Sequence, residues 1–175
     1  MGYRIGAQLV FAKDYGVPQN RPRIMMVGIR EDQDVVLDPS LPAGGLLPAP
    51  SHDAPDPVDA LGDLVDPTWQ PGGETTRYPL GVRGEFQELM RTDPTTGQIR
   101  PKGSLVTEHE YSNHAPHIIA KFRHMIENDG EIPEEMQTKK FAQRVLPVRW
   151  DERGPTITAT SLPDDYVHFS QPRSL

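Results

Sequence analysis

No cysteine occurs in the sequence, which excludes disulfides, thiolate metal ligands and cysteine nucleophiles from this chain. Aromatic residues are scarce at 7%, and apolar residues reach only 35% beside 19 prolines and 15 glycines. Such a balance implies much loop and turn, and predicts a loop-rich α+β fold. Long apolar runs are also missing: none approaches the length of a membrane span, and the first ten residues hold no apolar core behind a basic cluster. The chain therefore reads as intracellular and soluble. At 175 residues there is room for one ordinary domain, or for a small domain carrying a strip of a neighbour.

Lysine and arginine are missing from Glu31 to Thr75, a stretch that holds ten acids. The formal charge of −7 is thus a local feature, since the other residues sum to +3. Residues 1–30 carry Arg4, Lys13, Arg21, Arg23 and Arg30 against Asp14, a net of +4. A basic patch facing phosphate with acid turned away is consistent with this distribution, as is a plainly solvated face.

Residues 3–11 mix β-branched, aromatic and apolar side chains and read as a strand. Residues 24–29 are a short apolar run of the kind buried in a sheet, and the two strands are expected to pair. Between them, residues 12–23 form a polar loop whose Gly16, Pro18 and Pro22 continue neither ladder. Residues 38–57, rich in Pro, Gly, Ala and Ser, read as a surface linker. Asp56 and Pro57 offer an N-cap and a first-turn proline for a short helix. Another short helix is expected around Phe86, Leu89 and Met90. The clearest helix runs over 116–128, with Ile118, Ile119, Phe122, Met125 and Ile126 on one stripe and Gly130 as its stop. A weaker helix is expected over 134–145, and strands at 156–160 and 166–169 around a Pro163-Asp164-Asp165 turn.

Taken alone, Gln19-Asn20-Arg21-Pro22-Arg23 is also what an exposed turn with two arginines looks like; its setting singles it out. Asp14-Tyr15-Gly16-Val17-Pro18 precedes it, and a strand containing Val27-Gly28 follows. This Tyr-Gly-Val-Pro then Gln-x-Arg-x-Arg order resembles a signature of cytosine-5 DNA methyltransferases. Asp59-Ala60-Leu61-Gly62-Asp63-Leu64, Tyr111-Ser112-Asn113-His114, Gly154-Pro155-Thr156-Ile157-Thr158-Ala159-Thr160, Tyr166-Val167-His168 and Pro172-Arg173-Ser174-Leu175 are similar to later blocks of that family, in the family's order.

The resemblance implies that residues 1–37 are the terminal hairpin of a Rossmann-like methyltransferase sheet with the Gln-Asn-Arg-Pro-Arg loop. It further implies a linker at 38–57, a target-recognition domain at 58–169, and the start of a further motif at 170–175. Members flip a cytosine out of the duplex, add a cysteine thiolate to its sixth carbon and transfer a methyl group from S-adenosylmethionine to its fifth. The family's Pro-Cys motif, Glu-Asn-Val acid and glycine-containing cofactor loop are not found here, so this chain is expected to be silent alone and to contribute no cofactor-binding residue. By resemblance Gln19, Arg21 and Arg23 belong to the catalytic pocket, where a guanidinium donates to the carbonyl oxygen of the flipped base. Which arginine touches the base is open.

Arg144, Arg149 and Arg153, just before the Thr156-Ile157-Thr158 strand, and Thr158 itself are the implied DNA-binding residues. Base readout, phosphate contact and plain solvation stand side by side for the arginines. Ala159 departs from the Leu, Val or Ile that usually follows the family's threonine. His109, His114 and His117 are expected at exposed or capping positions rather than on a metal. Tyr78, Tyr111 and Trp150 either stack on bases or are buried. The implied partners are double-stranded DNA and a second polypeptide carrying the catalytic motifs, in a bacterial cytoplasm. The alternative is a stand-alone DNA-binding or regulatory module without catalysis.

Overall fold

A computed structural model describes residues 2–137, 143–150 and 166–175. Helix and strand are mixed, in two compact units, Met1–Ala54 and Pro55–Leu175.

The first unit is built on an antiparallel hairpin of β1 (Tyr3–Phe11) and β2 (Pro22–Arg30), in a register that sets Tyr3 opposite Arg30 and Phe11 opposite Pro22. The expected pairing is therefore present, but the expected burial is not. Directly opposed residues share a face of the sheet. One face thus carries Tyr3, Ile5, Leu9, Ile24 and Met26, which are 58%, 65%, 54%, 76% and 71% exposed. An apolar run records that a strand is suited to burial, and among the described residues of this unit nothing covers that face. The other face is partly covered by the chain's own residues. Helical turn α1 (Pro42–Gly45) packs there, with Ala43 N–H donating to the Gln8 amide oxygen at 2.8 Å. Gly6 permits the approach, because a Cβ at that position would run into Ala43 and Leu46.

In the second unit, α2 (Pro57–Leu61) starts at the expected proline, but Asp56 does not cap it by side chain. Its Oδ1 instead accepts the Trp150 N–H at 2.8 Å, and the Trp150 indole N–H donates to the Pro55 carbonyl at 3.0 Å. Helix α3 (Glu85–Arg91) follows, then α4 (Pro116–Glu127). The α4 stripe supplies the core: Phe122 and Met125 are fully buried with Val167, and Ile118, Ile126, Ile132 and Val145 pack around them. Of the weaker helix expected over 134–145, residues 138–142 lie outside the described residues, and the described ends are not α-helical. Glu134–Met136 is a single 3-10 turn, and Arg144–Val145 is a short strand, β3, paired in parallel with β4 (Tyr166–Val167). The strand expected at 156–160 and the turn at 163–165 lie outside the described residues.

Beyond β4 the chain turns inward. Nδ1 of buried His168 accepts the backbone N–H groups of Ser170 and Gln171, at 3.1 and 3.2 Å. Burial, with smaller contributions from Arg173 and His109, depresses the His168 pKa to about 3. The unfolded chain, with an ordinary imidazole, binds this proton more readily than the folded one. Stability from His168 is thus fully present above about pH 6.5 and is lost as pH falls toward 3. Asparagine keeps an acceptor near the Nδ1 position without a titrating group. Urea unfolding of His168→Asn should therefore show a smaller loss between pH 7 and pH 4.5 than the unaltered chain; equal losses would contradict this origin of the acid sensitivity.

Candidate functional site

The signature loop is held by its own backbone. Ala12 N–H donates to the Arg21 carbonyl at 3.0 Å, Val17 N–H to Ala12 at 3.2 Å, and Arg21 N–H to Gln19 at 2.9 Å. A 3-10 turn, Ala12–Tyr15, ends at Gly16, whose φ of 77° is left-handed and suits a residue without Cβ. Residues of the 48–53 stretch brace the loop from outside. Ser51 and His52 N–H groups donate to the Asp14 carbonyl at 2.8 and 3.1 Å, and the Tyr15 hydroxyl donates to the Pro48 carbonyl at 3.4 Å.

Strand alternation then aims the arginines. Arg23 lies opposite Val10 in the register, on the same face as Met25. Together with Arg21 on the loop, these residues line a cavity of about 320 Å³ whose remaining wall includes Tyr15 and Leu47. Arg21 and Arg23 thus converge on one space with almost wholly apolar walls, to which their side chains contribute mainly aliphatic surface. Arg23 spends one donor on the neighbouring Pro22 carbonyl, at 2.6 Å, which fixes the head of the side chain. A guanidinium held against low-dielectric walls interacts more strongly with an anionic oxygen than the same group in water. Gln19 does not line this cavity, and Asn20 is buried beside it in the loop.

Tyr15 belongs to the Tyr-Gly-Val-Pro run of the signature but carries no site role in the sequence reading, and Met25 and Leu47 have no part in the signature. Val10 and Met25 follow from period-two alternation once the hairpin register is known. Leu47 comes from the proline-rich stretch and carries no local signal for this position.

In the second unit, Arg144 is exposed at the start of β3 and lines a different cavity, of about 400 Å³, with Met125, Val148 and Phe169. Arg149 is largely exposed and lies 3.9 Å from the Asp56 carboxylate. Arg153 and Thr158 lie outside the described residues. The aromatic candidates have internal partners: Tyr78 lies under the Arg91 guanidinium at 3.7 Å, Tyr111 is buried edge-on to Trp69 and His109, and Trp150 is tied to residues 55 and 56. His114 bonds the Ser174 hydroxyl at 3.0 Å and packs edge-on against Phe122. Burial, then the Arg173 charge, lowers the His109 pKa. No group of three metal-ligating side chains occurs among the described residues, and none of their helices is long and apolar enough to cross a membrane.

A family model for C-5 cytosine-specific DNA methylase matches residues 1–165. The chain is 37% identical over 97 residues to Type II methyltransferase M.MthTI of Methanothermobacter thermautotrophicus, covering 55% of this chain and 25% of that protein. It is 30% identical over 95 residues to Type II methyltransferase M.DdeI of Desulfomicrobium norvegicum, covering 54% and 22%. Over 178 aligned residues it is 24% identical to Type II methyltransferase M1.HphI of Haemophilus parahaemolyticus, covering the whole of this chain and 37% of that protein. The chain therefore spans between 22% and 37% of the length of these three relatives. No solved structure matches it. With the match running through nearly all of its length, the chain belongs to the C-5 cytosine-specific DNA methylase family.

Proposed function

We propose that this chain is the base-holding and DNA-reading portion of a DNA (cytosine-5-)-methyltransferase of the restriction–modification type, acting with catalytic machinery on another stretch of polypeptide. The observation that carries the reading is the convergence of Arg21 and Arg23 on one apolar-walled cavity at the end of the hairpin. In this reading a cytosine flipped from the duplex enters that space, and a guanidinium donates to its carbonyl oxygen as thiolate addition builds negative charge on the ring. Gln19, which the resemblance also assigns to the pocket, braces the loop through its carbonyl, which accepts the Arg21 N–H. The thiolate must come from elsewhere, because the sequence contains no cysteine. Alone, the chain is inactive.

The exposed apolar face of the hairpin supports the second half of the proposal. Five large side chains on one side of a two-stranded sheet form the sort of surface that proteins cover, and the reading places the rest of a Rossmann-like catalytic sheet and its helices there. The arginine cavity does not fit S-adenosylmethionine. The residues lining it include no carboxylate to pair with the sulfonium and ammonium charges of that molecule. The methyl donor is therefore assigned to the complementary portion. The second unit, with Arg144 and Arg149 exposed and Arg153 and Thr158 as further candidates, is assigned to reading base edges in the major groove.

Mixing the chain with a polypeptide that carries the Pro-Cys and cofactor motifs should produce methylation of duplex DNA at cytosine C5, measured as labelled methyl incorporation from S-adenosylmethionine. Neither component should do so alone. Incorporation by the isolated chain, or silence with every complementary polypeptide from the same genome, would contradict the reading.

A further inference from the structure

Within the second unit, one exposed turn carries cations that the signature does not account for. Residues 94–107 contain Arg100 and Lys102 and no acid, in a chain whose formal charge is −7. Residues 94–102 are exposed without interruption. Exposure of this kind usually accompanies mobility, but this turn is built to hold its shape. Asp93 Oδ1 accepts the N–H groups of Thr95 and Thr96 at 2.9 and 3.0 Å. Gly97 N–H, at a left-handed φ of 68°, donates to the Asp93 carbonyl at 2.8 Å, and Asp93 N–H closes the turn on Gln98 at 2.9 Å. The carboxylate of Asp93 is thus turned onto the turn's own amides, which hold its pKa below the usual range, and its second oxygen lies 3.6 Å from Arg100.

The base of the turn is clamped from the interior. Arg100 N–H donates to the Arg91 carbonyl at 3.0 Å, and the fully buried Arg91 guanidinium donates back to the Arg100 carbonyl at 3.3 Å. Arg77 adds a third cation at the same base, its guanidinium donating to the Gly103 carbonyl at 2.8 Å. With Asp93 ionised and lying near Arg100, residues 93–102 carry a net charge of +1, and Arg77 at the base raises this to +2, so the held, exposed projection presents net positive charge outward. The densest negative partner available to a DNA methylase is the phosphate backbone, with one charge per about 1.7 Å of duplex axis.

We propose that the turn at residues 94–102 is a DNA-tracking finger, Arg100 and Lys102 each neutralising a backbone phosphate while the rest of the second unit reads the groove. This rests on the reading that the second unit binds duplex DNA. It assigns contacts to a region well separated in sequence from Arg144, Arg149, Arg153 and Thr158.

The test is fluorescence anisotropy of a labelled mixed-sequence duplex titrated with the full chain across a salt series. For the unaltered chain, the logarithm of the association constant should fall linearly with the logarithm of salt concentration. Arg100→Ala with Lys102→Ala should reduce that slope by about 2, at roughly 0.9 per phosphate contact, and weaken low-salt binding about tenfold or more. Arg100→Lys with Lys102→Arg keeps both charges and should keep the slope, which separates charge from folding. Lys102→Glu alone should weaken binding further than Lys102→Ala. Binding by the unaltered chain with slope and affinity unchanged in the double alanine variant would overturn the finger and leave the DNA-reading proposal standing. Failure of the unaltered chain to bind duplex at all would overturn that proposal, and the finger with it.

Discussion

Replacing Arg21 or Arg23 by alanine is expected to lower turnover of the reconstituted methyltransferase about a hundredfold while changing duplex affinity by less than about threefold. The asymmetry follows from when the contact matters. A neutral cytosine oxygen gains a hydrogen bond from a cationic donor alone, whereas the oxygen of the thiolate adduct carries developing negative charge and gains a stronger one between opposite charges. Removing one preorganised donor of this kind typically costs about 3 kcal/mol of transition-state stabilisation. In the proposed reading, phosphate and groove contacts elsewhere set the affinity for DNA, and these substitutions leave them in place. Arg23 already donates to the Pro22 carbonyl, so its head is positioned before any base arrives. Lysine at either position keeps charge but not the planar fork, and should recover only part of the loss. Steady-state kinetics beside equilibrium binding measures the split; equal losses in turnover and affinity would contradict the assignment.

The second large effect is on stability. Asp63→Ala is expected to destabilise the second unit by about 3–5 kcal/mol, the usual consequence of stranding one partner of a buried ion pair. Arg91 donates through Nε and NH2 to Asp63 at 2.8 Å, and both side chains are almost wholly buried, 1% and 5% exposed. The same guanidinium serves the Leu80 carbonyl at 2.7 Å and lies over the Tyr78 ring. Without Asp63 its charge stays inside with only neutral partners. At roughly 2–4 °C per kcal/mol, the melting temperature should fall by about 6–20 °C. An apolar replacement of both residues would remove the stranded charge but leave the Leu80 and Arg100 carbonyls without their donor, so it should recover only part of the loss. A thermal melt of Asp63→Ala within about 2 °C of the unaltered chain would contradict the role given to this pair.

Both effects illustrate what was legible in the sequence. Hairpin and signature loop could be read because each depends on local chemistry: alternation for the strands, and Gly16, Pro18 and Pro22 for the loop between them. The α4 core stripe was readable for the same reason, as Phe122 and Met125 recur at helical spacing. Contacts made across the chain were not. Asp56 looks like an N-cap, but Trp150, far away in sequence, takes its carboxylate. Arg91 on a short polar helix gives no local sign of being the largest of the fully buried side chains among the described residues, because its partners Asp63, Tyr78 and Leu80 come from other segments. The strand at 24–29 reads as buried, and it is exposed here because composition records suitability for burial without saying what does the covering.

The most direct measurement uses a duplex with 5-fluorocytosine at the target base, which halts the reaction as a covalent adduct after thiolate addition and methyl transfer because no C5 proton can leave. In the reconstituted enzyme the label should be trapped on the complementary polypeptide, not on this cysteine-free chain. Arg21→Ala or Arg23→Ala should slow trapping about a hundredfold at saturating DNA. Trapping at the unaltered rate in both variants would contradict the claim that these two guanidinium groups hold the extruded base.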